Sequence, residues 1–200
     1  MTDLHILFGG TFNPPHKGHL SICQQLMHAL PVAQVTYIPC FEPVHKTTNI
    51  SSQHRHLMLE LALKPFAAFD IGLWELNQKR PCYAIETIHH YQTAAPCTKF
   101  VWLIGSDQDL TQWKDWQQIL SKLSIIRVNR STPPPPIAKR LKHRVTTDYT
   151  QLYTPGSIWQ APFDAYEISS SEIRETGPHT HHLVPKAVRE YIHQHSLYTE

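Results

Sequence analysis

Two stretches of the chain combine residue types suited to handling phosphate. The first is Gly9-Gly10-Thr11-Phe12-Asn13-Pro14-Pro15-His16-Lys17-Gly18-His19, between an apolar run and a segment of helical periodicity. Glycines at such a turn let backbone N–H groups approach a phosphate chain closely, and a helix start adds the positive end of its dipole. His16 and His19 are three residues apart, so on one helical turn both imidazoles point the same way. Gly18 between them leaves room for a ligand to lie against the backbone. Two imidazoles beside a polyphosphate can donate hydrogen bonds to oxygens that gain charge in the transition state. The pattern departs from the dinucleotide-binding Gly-x-Gly-x-x-Gly, so it does not point to hydride transfer. The second stretch is Ile168-Ser169-Ser170-Ser171-Glu172-Ile173-Arg174. A serine cluster at a helix start offers hydroxyl and N–H donors, and Arg174 adds a cation one turn on. Taken alone, the same cluster reads better as an ordinary N-cap.

These side chains need elements to hold them. Leu4 to Phe8 is an apolar run ending at the double glycine, as expected of a buried strand entering a tight turn. Leu20, Cys23, Met27 and Leu30 recur at helical spacing until Pro31. Val35 to Ile38 reads as the next strand, and a helix follows from near Ser52 to before Pro65. Phe69 to Leu76 is predicted extended and Tyr83 to Tyr91 helical. Phe100, Val101, Trp102, Leu103 and Ile104 are apolar in succession, the mark of a central parallel strand buried on both faces. Trp113 to Leu123 is predicted helical and Ser124 to Val128 extended. Alternating strand and helix point to an α/β fold with a doubly wound, Rossmann-like parallel sheet, whose ligands bind outside the carboxyl ends of the strands. Pro133-Pro134-Pro135-Pro136 reads as an extended connector. A single domain over 1–200 is expected, with an α/β core over 1–130. Residues 137–200 hold little core of their own and are expected to pack back on the sheet as a small, largely helical segment. Its helices start near Ser170 and run from Pro185 to His195.

Composition narrows the chemistry. The 200 residues carry 18 lysines and arginines against 16 acids, a formal charge of +2. That balance argues against a protein held mainly by nucleic-acid backbone but allows small anionic ligands, for which a few cations suffice. The four cysteines, Cys23, Cys40, Cys82 and Cys97, form no Cys-x-x-Cys pair, so a reducing cytoplasm is the expected compartment. Neither a signal core nor a bilayer-spanning run is legible. The 15 histidines are mostly scattered, and His179, His181 and His182 sit in a Gly/Pro/Thr stretch that reads as a solvated turn; no dedicated metal site is expected.

The two signatures resemble those of the nucleotidyltransferase superfamily, whose usual form has Asp where this chain has Asn13 and Thr where it has Ser171. Intervening segments are similar to those of bacterial nicotinate mononucleotide adenylyltransferases. They comprise Pro39 to Lys46, Arg55, Met58 to Ala62, Tyr83-Ala84-Ile85-Glu86-Thr87, Leu103-Ile104-Gly105-Ser106-Asp107, Trp113 and the Val184-Pro185 to Tyr198 helix. The resemblance covers nearly the whole chain and is weakest from about Ser131 to Phe163. It implies a Mg²⁺-dependent enzyme that moves AMP from ATP onto the phosphate of nicotinate mononucleotide by direct in-line displacement, the metal being held mainly through ATP phosphates. By the same resemblance, Thr11, His16 and His19 hold the reacting phosphates and Lys46 neutralises charge near them. Gly9, Gly10, Phe12, Gly18, Gly105 and Ile173 complete the ATP site, with Ser170, Ser171 and Arg174 on the outer phosphates and adenine-side groups. Asp107 would contact a ribose or organise the metal-bound nucleotide, with a helix N-cap as its alternative. Tyr83, Ala84, Thr87, Trp113 and Arg130 are the implied acceptor residues, with Trp113 stacking on the pyridine ring. Trp113 as core and Arg130 as exposed surface remain open alternatives. Cys82 and Ala84 stand where the family commonly has Ser and Thr, and Glu86 where it often has Asp. No membrane or nucleic-acid partner is implied, and self-association is left open. Another phosphorylated acceptor (nicotinamide mononucleotide, phosphopantetheine) and a nucleotide-sensing module without turnover are the competing functions.

Overall fold

Along each central strand, apolar side chains alternate between two faces, because successive residues of a strand point oppositely. Leu4 and Ile6 enter one core and Leu7 the other; Val101 and Leu103 enter the first, Phe100, Trp102 and Ile104 the second. Both faces of the sheet must therefore be covered. The computed structural model describes residues 3–129, 135–164, 168–177 and 182–199. Strand β1 (Leu4–Gly10) leads through α1 (Lys17–Ala29) to β2 (Val32–Pro39), and α2 (Ser52–Leu63) leads to β3 (Phe69–Ile71). Helices α3 (Trp74–Gln78) and α4 (Ala84–Ala94) precede β4 (Lys99–Gly105), and α5 (Trp116–Lys122) precedes β5 (Ser124–Asn129). Strands β6 (Val145–Thr146) and β7 (Ile158–Asp164) follow, then α6 (Ser170–Thr176) and α7 (Lys186–Gln194). The seven strands form one sheet in the order β3-β2-β1-β4-β5-β7-β6. Every pairing is parallel. The order reverses between β1 and β4, so their carboxyl ends, Gly10 and Gly105, flank the crevice where an open α/β sheet takes its ligand. Among the described residues no helix is long and apolar enough to cross a membrane.

The expected α/β class is found, with three local corrections. The extended stretch over Phe69–Leu76 stops at Ile71: the Gly72 N–H still bonds to the Tyr37 carbonyl of β2 at 2.8 Å, and the chain then turns at Leu73 into α3. The helix expected from Trp113 begins at Trp116. Asp109 accepts the Thr111 N–H at 2.9 Å and closes a separate turn over Leu110–Gln112, and Asp115 at φ 54° restarts the helix. The stretch after the proline tract is not a helical appendage, since β7 pairs with β5 and β6 with β7. Leu141, Leu152, Ile158 and Trp159 of this stretch are buried in the two cores. Pro133 and Pro134 lie outside the described residues.

Helix α2 buries Met58, Leu59, Ala62 and Leu63, and Arg55 falls on the same stripe with no exposed surface at all. Its guanidinium is satisfied by backbone: Nη1 donates to the Thr11 carbonyl at 2.9 Å, and Nη2 to those of Cys40 and Phe41 at 2.8 and 2.6 Å. The Cys40 N–H bonds to the Gly10 carbonyl at 3.1 Å, so the loops after β1 and β2 are knitted into one surface. Arg55→Met keeps the bulk but removes the partner of three half-buried carbonyls, each costing about 1 kcal/mol or more. Urea unfolding should show a loss on the order of 3 kcal/mol or more; a loss below about 1 kcal/mol would mean the loops hold without it.

On the other face, Glu75 of α3 is buried, and its carboxylate accepts the Thr87 hydroxyl of α4 at 2.6 Å. Burial pushes its pKa up to about 7; the Thr87 bond opposes this, and nearby Glu86 adds to the rise. An acid raised in the folded state binds more protons there than in the unfolded chain. Stability therefore falls as pH rises from near the ordinary 4.5 to about 7 and is level above that. The size is about 3 kcal/mol at 1.36 kcal/mol per pKa unit. Glu75→Gln keeps an acceptor for Thr87, so the gap in unfolding free energy between variant and wild type should widen in the variant's favour from pH 5 to pH 8. A gap that does not change with pH would exclude Glu75 as the titrating group.

Candidate active site

The loop after β1 places the two histidines differently, although they are three residues apart. His16 is the N-cap of α1, with extended backbone, and only 1% exposed. His19 lies on the first turn of α1 and lines a cleft of about 530 Å³ at the carboxyl ends of β1 and β4. Their rings stack with centroids 3.7 Å apart and planes 28° from parallel. The His16 N–H donates to His19 Nδ1 at 3.2 Å. A neutral imidazole accepting at Nδ1 carries its proton on Nε2, so His19 is set as an Nε2–H donor. The edge of Phe12 packs on the His19 ring at 5.1 Å, and the Tyr37 hydroxyl donates to the His19 carbonyl at 3.1 Å.

The glycines serve packing more than open access. A Cβ on Gly18 would lie 2.9 Å from the His16 ring, so the space expected for a ligand holds that imidazole. A Cβ on Gly9 would meet the Trp102 indole at 2.7 Å, and one on Gly10 the Phe12 ring at 2.9 Å. Phe12 itself is 2% exposed at φ 49° and still forms part of the cleft wall.

The other walls come from three further segments. The loop after β2 brings exposed Lys46, beside His45 and Thr48. The end of β4 brings Gly105 and exposed Asp107; the capping role in this stretch belongs to Asp109, not to Asp107. The start of α6 brings Ser170, Ser171 and Arg174. Ser169 caps that helix, accepting the Glu172 N–H at 3.1 Å, while the Ser170 hydroxyl donates to the Pro14 carbonyl at 3.0 Å. Arg174 donates through Nη1 to the Asn13 carbonyl at 2.6 Å and through Nη2 to Ser171 Oγ at 3.0 Å, so α6 is pinned against the loop after β1. Ile173 faces the other way, fully buried in the core, and cannot touch a ligand. Thr11 lines the cleft beside Cys40, whose thiol donates to its hydroxyl at 3.9 Å.

The acceptor residues separate. Trp113, released from α5, lines the cleft and meets Trp102 edge-on at 6.3 Å. Tyr83 and Ala84 are not among the cleft-lining residues; Tyr83 caps α4 with the Lys114 ammonium 4.5 Å above its ring. Thr87 is fully buried and spends its hydroxyl on Glu75, which corrects its assignment to the ligand surface. Arg130, His179 and His181 lie outside the described residues.

Four features were missed from sequence. A narrow slot opens beside the cleft, floored by Ile22, Leu103, Val128 and Ile168 and edged by Gly18 and His19. Arg55 lies on the apolar stripe of α2, a position in the sequence pattern that marks a buried charge. Buried Arg127, which donates to the Ser106 carbonyl at 3.2 Å and Gln160 Oε1 at 2.6 Å, holds the end of β4 against β5 and β7. Asn13, Thr48 and Tyr198 meet by hydrogen bonds across long sequence separations, and no local pattern marks them. Among the described residues no group of three or more His, Cys, Asp or Glu could hold a metal ion.

A family model described as cytidylyltransferase-like matches residues 7–176. A probable nicotinate-nucleotide adenylyltransferase of Xylella fastidiosa (strain M12) is 34% identical over 218 residues, covering 99% of this chain and 97% of the relative. One from Methylacidiphilum infernorum is 32% identical over 200 residues, covering 96% and 90%. The Plasmodium falciparum nicotinic acid mononucleotide adenylyltransferase complexed with NaAD superposes with a TM-score of 0.72 over 98% of this chain and 97% of that one. At 18% identity, that likeness speaks for the fold. By the family match and by full-length similarity, the chain belongs to the cytidylyltransferase-like family and, within it, to the nicotinate-nucleotide adenylyltransferases.

Proposed function

We propose that the cleft transfers the adenylyl group of ATP to the phosphate of nicotinate mononucleotide, giving nicotinate adenine dinucleotide and pyrophosphate for NAD biosynthesis. The observation that carries this reading is convergence. His19, Lys46, Arg174 and the Ser170 and Ser171 hydroxyls, drawn from three segments, face one cleft at the switch point of the sheet. Asp107 is the only acid among its described lining residues, so the cleft favours an anionic ligand.

At about 30 Å³ the slot beside His19 is too small to take a whole base, so the adenine would lie against its apolar rim within the larger cleft, with the triphosphate running across the loop after β1 toward Lys46 and Arg174. The indole of Trp113 suits the pyridine ring. A mononucleotide phosphate is already ionised near neutral pH, so it attacks the α-phosphorus in line without a dedicated base while pyrophosphate departs. His19 donates Nε2–H to the oxygen that gains charge, and Lys46 and Arg174 stabilise the leaving pyrophosphate. Thr11 and His16 shape the loop, His16 by setting the tautomer of its neighbour. Arg130 remains a proposed phosphate contact. Mg²⁺, when bound, supplies further charge neutralisation on the phosphates. With Asp107 the single cleft carboxylate described, the ion would be held chiefly by ATP. A cytoplasmic setting suits the four free thiols.

The test is pyrophosphate release from ATP and Mg²⁺ with nicotinate mononucleotide, nicotinamide mononucleotide or phosphopantetheine as acceptor. Selective release with the nicotinate compound is expected. Release with another acceptor would overturn the substrate, and none with any would favour nucleotide sensing. In the active reaction, His19→Ala should lower turnover on the order of 10²–10³-fold, as loss of a transition-state donor does. A variant keeping most of its activity would remove His19 from the chemistry.

A further inference from the structure

Asn13 sits at the bottom of the cleft, 6% exposed, and joins three parts of the chain. Its Nδ2 donates to Thr48 Oγ1 at 2.7 Å, its Oδ1 accepts the Tyr198 hydroxyl at 2.5 Å, and its main-chain carbonyl accepts Arg174 Nη1 at 2.6 Å. Thr48 is itself bracketed by Ile50, whose N–H donates to its hydroxyl at 3.3 Å and whose carbonyl accepts from it at 3.4 Å. A threonine hydroxyl has one proton, and here it goes to Ile50. Thr48 therefore has only lone pairs to offer Asn13, the amide must present its NH₂, and its carbonyl oxygen is left for Tyr198. The bonds run in one direction, from Tyr198 through Asn13 and Thr48 to the Ile50 carbonyl, and each polarises the next.

The far end of this chain of bonds is built with care. After α7, Ser196 and Tyr198 take φ of 47° and 63°, conformations that side-chain-bearing residues seldom adopt. They let Leu197 bury in the core and turn the Tyr198 ring back toward Asn13. At Ser196 the left-handed residue closes α7, with the Leu197 N–H bonding back to the Ile192 carbonyl at 3.0 Å; at Tyr198 it aims the ring at Asn13.

We propose that Asn13 and Tyr198 form a positioning latch through which the last residues of the chain set the Lys46 loop and Arg174 against the reacting phosphates; this rests on the adenylyl-transfer reading of the cleft. Asn13 and Thr48 line that cleft and Tyr198 does not, so Tyr198 acts through them. Losing its hydroxyl frees the amide to rotate, which loosens the 43–48 loop and the carbonyl that orients Arg174.

The experiment compares wild type, Tyr198→Phe, Asn13→Ala and the double variant, with ATP as the titrated probe, well below their unfolding temperatures. Tyr198→Phe should weaken ATP binding about 5–20-fold in titration calorimetry and lower kcat/KM with nicotinate mononucleotide to a similar degree. The double variant should fall no further than Asn13→Ala, since both cut one path. On a Lys46→Ala background, Tyr198→Phe should lose the part of its effect carried by the 43–48 loop and keep the part carried by Arg174; an undiminished effect would overturn the loop's share in the latch. ATP affinity and kcat/KM within twofold of wild type in Tyr198→Phe, or additive losses in the double variant, would overturn the latch. Wild type that binds ATP but releases no pyrophosphate would instead sink the transfer reading, and ATP affinity would still decide the latch. If Tyr198→Phe fails to fold, Thr48→Val cuts the same path at its other end and is judged by the same twofold limit.

Discussion

The guanidinium of Arg55 has no exposed surface, and its partners are the carbonyls of Thr11, Cys40, Phe41 and, at 3.4 Å, Ile50. Moving a charge from water into the protein is costly, and here an array of aimed main-chain dipoles offsets it. Those dipoles belong to the two loops that carry the cleft. Because they are main-chain groups, the side chain dictates the path of the backbone rather than the identity of the residues on it. A loop straying from that path would strand part of a buried cation. The turn after β1 and the segment leading to Lys46 are therefore defined together, before any ligand arrives. Such preorganisation is what lets a site stabilise a transition state without rearranging at the moment of reaction.

Within that frame the two histidines divide their work. His16 is almost wholly buried, and its ring fills the space that Gly18 leaves open. Its main-chain N–H fixes the tautomer of His19, and its imidazole supports the neighbouring ring from beneath. His19 is the member of the pair that lines the main cleft. A His-x-x-His pair here is one presented donor and one buried support, and that asymmetry follows from placing the helix start at Lys17 rather than before His16. The glycines obey the same logic: at Gly9 and Gly10 the missing Cβ atoms make way for the Trp102 and Phe12 rings that stiffen the floor.

Much of the fold was legible because burial on both faces leaves a strong mark. Continuous apolar runs at β1 and β4 identify central parallel strands, and the double glycine marks where β1 ends. Two short breaks escaped: the end of β3 at Ile71, and the turn closed by the local Asp109–Thr111 bond that separates Trp113 from α5. β6 escaped because two residues cannot show a period, and β7 because it interleaves polar and proline residues with its buried positions. At the site, motif residues adjacent in sequence were legible as a group. Thr87 was misplaced because sequence says that a threonine lies on a helix without saying which way its hydroxyl turns, and burial with Glu75 decides that. The Tyr198–Asn13 bond spans 185 positions and leaves no local trace.

The charge balance of the chain conceals how its cations are deployed. A net +2 suggests no particular affinity for polyanions, yet the hydrogen-bond partners found for Arg55 and Arg174 are uncharged: backbone carbonyls, the Ser171 hydroxyl and the Cys40 thiol. A carboxylate would fix an arginine as well, but it would also cancel its field and lower its attraction for phosphate. Neutral acceptors fix the geometry and leave the charge in place. Asn13 fits this pattern, because an amide joins Thr48 and Tyr198 and offers its main-chain carbonyl to Arg174 without adding a negative charge. Uncharged partners for these arginines are thus part of how a nearly neutral protein presents a cationic cleft.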